Sequence, residues 1–263
     1  MKEEIAVSAG TMIHDFAITD RDVVFWEFPV VFDLAAAAAA AAGAVNPFTW
    51  DASCGSLVGV MPLGGPAAEM RWVEIDNGYV FHGTNAYRDD DRIVLDVSRI
   101  PSVFNDNDIN DSPSLLNRWT IGTGGDELTW TTEQVSELSI DFPEIDHRVT
   151  GRAHSVAWYT ETHDTADGNL EFPGLAALDV ATGELDRWTP GPARQPGEAL
   201  FVPDPPDSAE GEGWLLTFIW DQATDRSSFV ILDATDVGAV PVAEIDLPRR
   251  VPFGFHGTWP ADS

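Results

Sequence analysis

Leu175-Ala176-Ala177-Leu178-Asp179-Val180-Ala181-Thr182-Gly183-Glu184-Leu185-Asp186-Arg187-Trp188 reads as a strand, a tight turn at Ala181-Thr182-Gly183-Glu184 and a returning strand. A second stretch of the same design opens at Val230-Ile231-Leu232-Asp233-Ala234-Thr235-Asp236 and runs to Leu247. Aspartate-containing hairpins of this kind are typical of β-propeller blades. The pattern continues outward in both directions. Short β-branched or aromatic runs occur at Val23-Val24-Phe25-Trp26, Arg92-Ile93-Val94-Leu95-Asp96-Val97, Trp214-Leu215-Leu216-Thr217-Phe218 and Ser228-Phe229-Val230-Ile231-Leu232-Asp233. Turn-forming pieces such as Asp76-Asn77-Gly78 and Asp167-Gly168-Asn169 lie between such runs. The fold class expected is all-β: sandwich, barrel or propeller, with the repeated hairpin favouring the propeller. At about 40–45 residues per blade, the length would supply roughly five or six blades. The one helix candidate is the alanine run Leu34–Ala44, which could equally be a loop. No linker divides residues 1–263, so a single domain is expected.

Composition narrows the function classes. The chain carries 44 acidic residues against 14 basic ones, a formal net charge of −30, and Lys2 is its only lysine. Nucleic acid is excluded as a partner, because phosphate binding needs clustered Lys and Arg. Electrostatic attachment to anionic lipid is disfavoured for the same reason. Acidic residues scattered along the chain read as a surface that stays hydrated at high salt, where screening relieves self-repulsion. The expected setting is a salt-adapted cytoplasm. Cys54 is the only cysteine, so no internal disulfide can form. No signal core opens the chain, and nothing approaches the ~20 apolar residues of a membrane span.

Six histidines are present. His163 lies in a polar stretch and should be exposed, and His147 and His154 flank Arg148 and Arg152, where a structural role is expected. His14, His82 and His256 differ, since each sits beside bulky apolar residues and should be at least partly buried. A buried neutral imidazole needs partners for both nitrogens, and a metal on one with a carboxylate on the other supplies them. The three are 68 and 174 residues apart, far outside any local metal-binding spacing. A propeller would bring them together, because every blade sends its innermost strand to a common axis.

Met12-Ile13-His14-Asp15-Phe16-Ala17-Ile18-Thr19, Phe81-His82-Gly83-Thr84-Asn85-Ala86-Tyr87 and Gly254-Phe255-His256-Gly257 resemble, in order and approximate spacing, motifs of the carotenoid cleavage oxygenases. Asp141-Phe142-Pro143-Glu144-Ile145-Asp146 and the Gly197-Glu198-containing run to Pro203, which looks like a strand of that family, agree with them. The resemblance implies a seven-bladed propeller with Fe(II) held by four axial histidines, three of them hydrogen-bonded to glutamates. Carried over residue by residue, it makes His14, His82 and His256 metal ligands, Glu198 the partner of His256 and Asp141 the partner of His82. Dioxygen and an apolar polyene would be the reactants, and oxidative cleavage of a conjugated C=C bond in a carotenoid, apocarotenoid or stilbene-like compound the reaction.

The departures from the family pattern generate expectations of their own. The first ligand histidine and the glutamate expected for His14 match nothing from Met1 onward. The chain is therefore expected to be a carboxy-terminal portion with roughly five blades, completed by a missing segment or another chain. Asp141 stands where the family has glutamate, and a shorter reach is expected to replace a direct hydrogen bond to His82 by a water-mediated one. Arg88 and Glu144 each reverse the usual charge, which leaves open whether they compensate each other. The alanine run falls where membrane-associated relatives carry an apolar patch, so at most a weak membrane contact is expected. Two other readings compete: a non-catalytic propeller remnant, and a calcium-dependent propeller hydrolase, which would require converging oxygen ligands.

Overall fold

The computed structural model of the chain describes residues 3–34, 37–38, 47–104, 112–164 and 170–259. The Asp167-Gly168-Asn169 turn and most of the alanine run lie outside these residues. The first sheet contains β1 (Ala17–Ile18) and β2 (Asp22–Glu27). After a hairpin of β3 (Val30–Phe32) and β4 (Phe48–Trp50), it is completed by β5 (Ser56–Pro62) and β6 (Arg71–Ile75). The second holds β7 (Tyr79–Asp89), β8 (Arg92–Ile100), β9 (Leu115–Gly122) and the long β10 (Thr129–Glu144). The third takes the far end of β10 and adds β11 (Val156–Glu161). A two-stranded excursion, β12 (His163–Asp164) and β13 (Leu170–Glu171), then precedes β14 (Leu175–Asp179) and β15 (Leu185–Trp188). The fourth comprises β16 (Arg194–Pro196), β17 (Leu200–Pro203), β18 (Gly213–Asp221), β19 (Arg226–Asp233) and β20 (Ala243–Asp246). Nearest neighbours in these sheets pair antiparallel, so the fold is all-β.

The hairpin that opened the sequence argument is β14–β15, with Leu178 opposite Leu185 across the turn. Its counterpart, β19–β20, is joined by a longer loop. The described strands form sheets of four, seven and five strands and two two-stranded hairpins; with the seven-stranded sheet divided at β10, they make four units where length alone predicted five or six. Each unit uses more chain than about 45 residues because of additions such as the β3–β4 hairpin and the sixteen-residue β10.

Alternating side chains build the core between successive sheets. Trp26, Phe28, Val58, Tyr79, Leu95 and Trp119 pack the first sheet on the second. Leu116, Ile140, Tyr159 and Leu178 join the second to the third, and Trp158, Trp188, Phe201, Leu215 and Val230 the third to the fourth. Arginine neutralises four buried carboxylates, Asp22, Asp96, Asp146 and Glu161. Arg118 grips Asp96 with two 2.8 Å hydrogen bonds, and Arg88 holds Asp22 at 2.6 and 2.8 Å. Burial alone would raise the Asp22 carboxyl, but the Arg88 guanidinium outweighs it and holds the group below its usual range. Glu144 does not meet Arg88. It accepts the backbone N–H of Phe201 and pairs with His147, so each reversed charge has found its own partner. Among the described residues, no helix is long and apolar enough to cross a membrane.

Asp96 is 1% exposed, so Arg118→Leu strands a buried carboxylate. Denaturant titration should show a loss of about 3 kcal/mol; a loss below about 0.5 kcal/mol would mean the pair stabilises little.

Candidate metal centre

Residues from the first, second and last of these units converge on one place. His14 lies just ahead of β1, His82 is on β7, and Asp141 sits on β10 where that strand leaves β9 for β11. Glu198 occupies the break between β16 and β17, not a strand as the motif suggested. His256 comes from the segment after β20, where 247–259 forms no regular element.

The rings meet. The centroids of His14 and His82 are 5.1 Å apart and those of His82 and His256 4.9 Å, each pair nearly perpendicular. Each Nδ1 has an oxygen partner: Phe81 carbonyl at 3.0 Å for His14, Asp141 Oδ1 at 2.8 Å for His82 and Glu198 Oε1 at 3.0 Å for His256. These oxygens accept, so each Nδ1 carries the hydrogen and, in the neutral ring, each Nε2 presents a lone pair. Nε2 of His82 and Nε2 of His256 are 3.2 Å apart. Two bare lone pairs at that distance repel, and a proton or a cation between them reverses the sign. Burial opposes protonation of His82, yet the hydrogen-bonded Asp141 carboxylate, helped by Asp15 and Glu198, raises its pKa above 6.5.

Two expectations need correction. The Asp141 contact is direct, not water-mediated. A register shift between Asp141 and Glu144 and a φ of 51° at Phe142 turn the backbone there, and the carboxylate also caps the Phe142 N–H at 2.8 Å. This bulge makes up the reach of the missing methylene. Burial, too, is uneven: the His82 side chain is 14% exposed, but that of His256 is 53% exposed and His14 is also exposed. Their apolar neighbours face outward with them, Phe16 at 53% and Phe255 at 63% exposure, because both histidines sit on segments outside the sheets.

Two contributors escaped the sequence reading. Asp15 accepts the N–H of Gly83 at 2.9 Å and thereby pins the His14 segment to β7. Its adjacency to His14 was the available signal. Phe142 wedges its ring 5.2 Å from His82 and 5.9 Å from His256, a placement that depends on the bulge and leaves no trace in composition. The other histidines lie elsewhere. His163 is exposed on β12; His147 sits beside Glu144, whose carboxylate raises its pKa; His154 is buried against Asn85, and burial lowers its pKa.

Among the described residues, no three His, Cys, Asp or Glu side chains close into a finished metal cage. The donor set nevertheless fits a transition-metal ion. Two nitrogens about 2.1 Å from one ion and roughly at right angles lie about 3 Å apart, close to the separation of the two Nε2 atoms. Imidazole donors suit iron and its neighbours and not calcium, which takes oxygens. An open cleft of about 700 Å³ reaches the cluster, with His14, Phe81, His82, Phe142, Phe172 and Phe255 among its walls. A second, of about 240 Å³, lies against the fourth sheet and shares Phe142, Phe172, Phe255 and His256 with the first.

Because folding raises the pKa of His82, its protonated pair with Asp141 adds stability fully present below the unfolded value of 6.5. That stability fades as pH rises through the higher folded value. Asp141→Asn should lower the His82 pKa in a ¹H–¹⁵N titration of the metal-free chain and remove this pH slope. An unchanged pKa would show that the carboxylate does not set it.

Similarity to known proteins runs along nearly the whole chain. The family model described as retinal pigment epithelial membrane protein matches residues 1–261. A carotenoid cleavage oxygenase of Mycobacterium tuberculosis is 30% identical, with 97% of this chain and 59% of the relative covered. An isoeugenol monooxygenase of Pseudomonas putida is 31% identical over 95% of this chain and 55% of its own length. The chain thus spans little more than half of these relatives. Among solved structures, the lignostilbene dioxygenase of Pseudomonas brassicacearum superposes with a TM-score of 0.81 at 27% identity, covering 96% of this chain and 55% of that one. A cobalt-substituted Synechocystis ACO gives 0.82 at 26% identity, with 96% and 53% covered. A match along nearly the whole chain, in sequence and in fold, places it in the retinal pigment epithelial membrane protein family, that of the carotenoid cleavage oxygenases.

Proposed function

We propose that His14, His82 and His256 hold an Fe(II) ion and that the chain serves dioxygen-dependent cleavage of a conjugated C=C bond in a carotenoid, apocarotenoid or stilbene-like substrate. The observation that carries this reading is the convergence of three imidazoles, each tied down through Nδ1, with two Nε2 atoms 3.2 Å apart. The names of the relatives point to oxygen chemistry on such compounds. Bound iron would supply the dioxygen activation that imidazole and carboxylate groups lack.

The protein's own residues do the rest. Asp141, Glu198 and the Phe81 carbonyl accept from the Nδ1 hydrogens, which fixes the tautomer that leaves each Nε2 for the metal and fixes the ring planes. Phe81, Phe142, Phe172 and Phe255 line the cleft with flat apolar faces suited to a planar conjugated chain, and they displace water from it. The sheets would act as propeller blades whose inner edges meet at an axis, an arrangement that brings residues distant in sequence to one site. A fourth imidazole and another carboxylate, as the family resemblance implies, would complete the sphere beside His14, whose Nδ1 rests on a backbone carbonyl. The charge of −30 suits a salt-rich cytoplasm.

Anaerobic Fe(II) titration of the purified chain should give one ion per chain. His82→Ala should abolish binding, and Glu198→Gln should weaken it about 10- to 100-fold. Oxygen uptake with a stilbene probe should follow the bound iron. Iron binding indifferent to His82→Ala would overturn the assignment.

A further inference from the structure

His256 lies in a stretch of chain that no sheet holds. Segment 247–259 pairs with no strand, and its backbone makes few hydrogen bonds: Leu247 N–H to Ser227 carbonyl, Val251 N–H to Ser227 Oγ and Gly257 N–H to Glu198 Oε2. Just before the ring, His256 N–H donates to the Gly254 carbonyl at 2.8 Å across Phe255, whose φ is 61°. A tight turn with a phenylalanine in the left-handed region is strained and persists only if its surroundings hold it.

Those surroundings are aromatic. The Arg250 guanidinium stacks 4.0 Å from the centroid of Trp220, on β18. Asp225 locks the pair from the β18–β19 turn, accepting Trp220 Nε1–H at 3.1 Å and lying 3.6 Å from Arg250. Phe253 then packs edge-on against both Trp220, at 5.9 Å, and Phe172, at 5.4 Å. Phe172 contacts Phe142 at 5.8 Å, and Phe142 touches the His82 and His256 rings. The contacts therefore run unbroken from an outer corner of the fourth sheet to the imidazole cluster.

We propose that Trp220, clamped by Arg250 and backed by Phe253, is a positioning residue for His256: it anchors the irregular strap 247–259 so that the imidazole faces His82. The metal consequence rests on His256 being a ligand; the anchoring does not. Glu198 fixes the rotation of the ring, whereas the Trp220 clamp fixes where its backbone runs. Removing the platform frees the strap while every strand stays in place.

The test compares Trp220→Leu, Trp220→Phe and Leu63→Ala with the parent, the last altering an exposed side chain just after β5 of the first sheet. In the metal-free chain, amide hydrogen exchange over 251–257 should accelerate about tenfold in Trp220→Leu. It should stay near the parent rate in Trp220→Phe, which keeps an aromatic face, and in Leu63→Ala. Cobalt(II), titrated as a spectroscopic probe, should bind about tenfold more weakly to Trp220→Leu with an altered visible spectrum, and normally to the other two. Unchanged exchange in Trp220→Leu, or equal acceleration in all three variants, would overturn the proposal. A parent chain that binds no cobalt would defeat the metal reading instead, and the exchange data would still decide the strap.

Discussion

An imidazole has two nitrogens, and a folded protein must give each a partner or leave it to water. Here three rings have one nitrogen satisfied by protein oxygens, which turns the other three toward a shared space. The closest two approach to 3.2 Å, a distance two lone pairs cannot hold unaided. Much else in the molecule can be understood as what is needed to keep those rings there: carboxylates on separate elements, a bulge that delivers one of them and aromatic walls around the opening.

The sheets provide the rigid part of this arrangement. Three clusters of aromatic and aliphatic side chains join each unit to the next, so the strands have little freedom to drift. The seven-stranded sheet that β10 creates by pairing with β9 at one end and β11 at the other matters most. It makes the position of Asp141 a property of two sheets at once. His14 and His256 depend instead on tethers: the Asp15–Gly83 hydrogen bond for one, the Glu198 carboxylate and the aromatic strap for the other. The greater exposure of these two rings follows from that difference.

The strands were largely legible in the sequence, because alternating apolar runs and Gly- or Asp-rich turns report local preference directly. Val23–Trp26, Arg92–Val97 and Trp214–Phe218 all fall inside strands. The pairing of site residues was legible only through the family motifs, since nothing local links His256 to Glu198 across 58 residues. Side-chain reach alone predicts a water between Asp141 and His82, whereas a backbone bulge, which no motif reports, accompanies a direct contact. Bulky neighbours suggest burial of His14 and His256, but Phe16 and Phe255 face outward with them. The role of Trp220 was invisible to any motif, because its partners Arg250 and Phe253 become neighbours only when the strap folds back over β18.

The central claim is that three imidazoles of this chain share one metal ion. X-ray absorption on the iron-loaded chain tests it most directly. The account predicts a first shell of nitrogen and oxygen with the outer-shell multiple scattering of about three imidazole rings, reduced by one ring in His256→Ala. A first shell without imidazole scattering, or one that His256→Ala leaves unchanged, would contradict it.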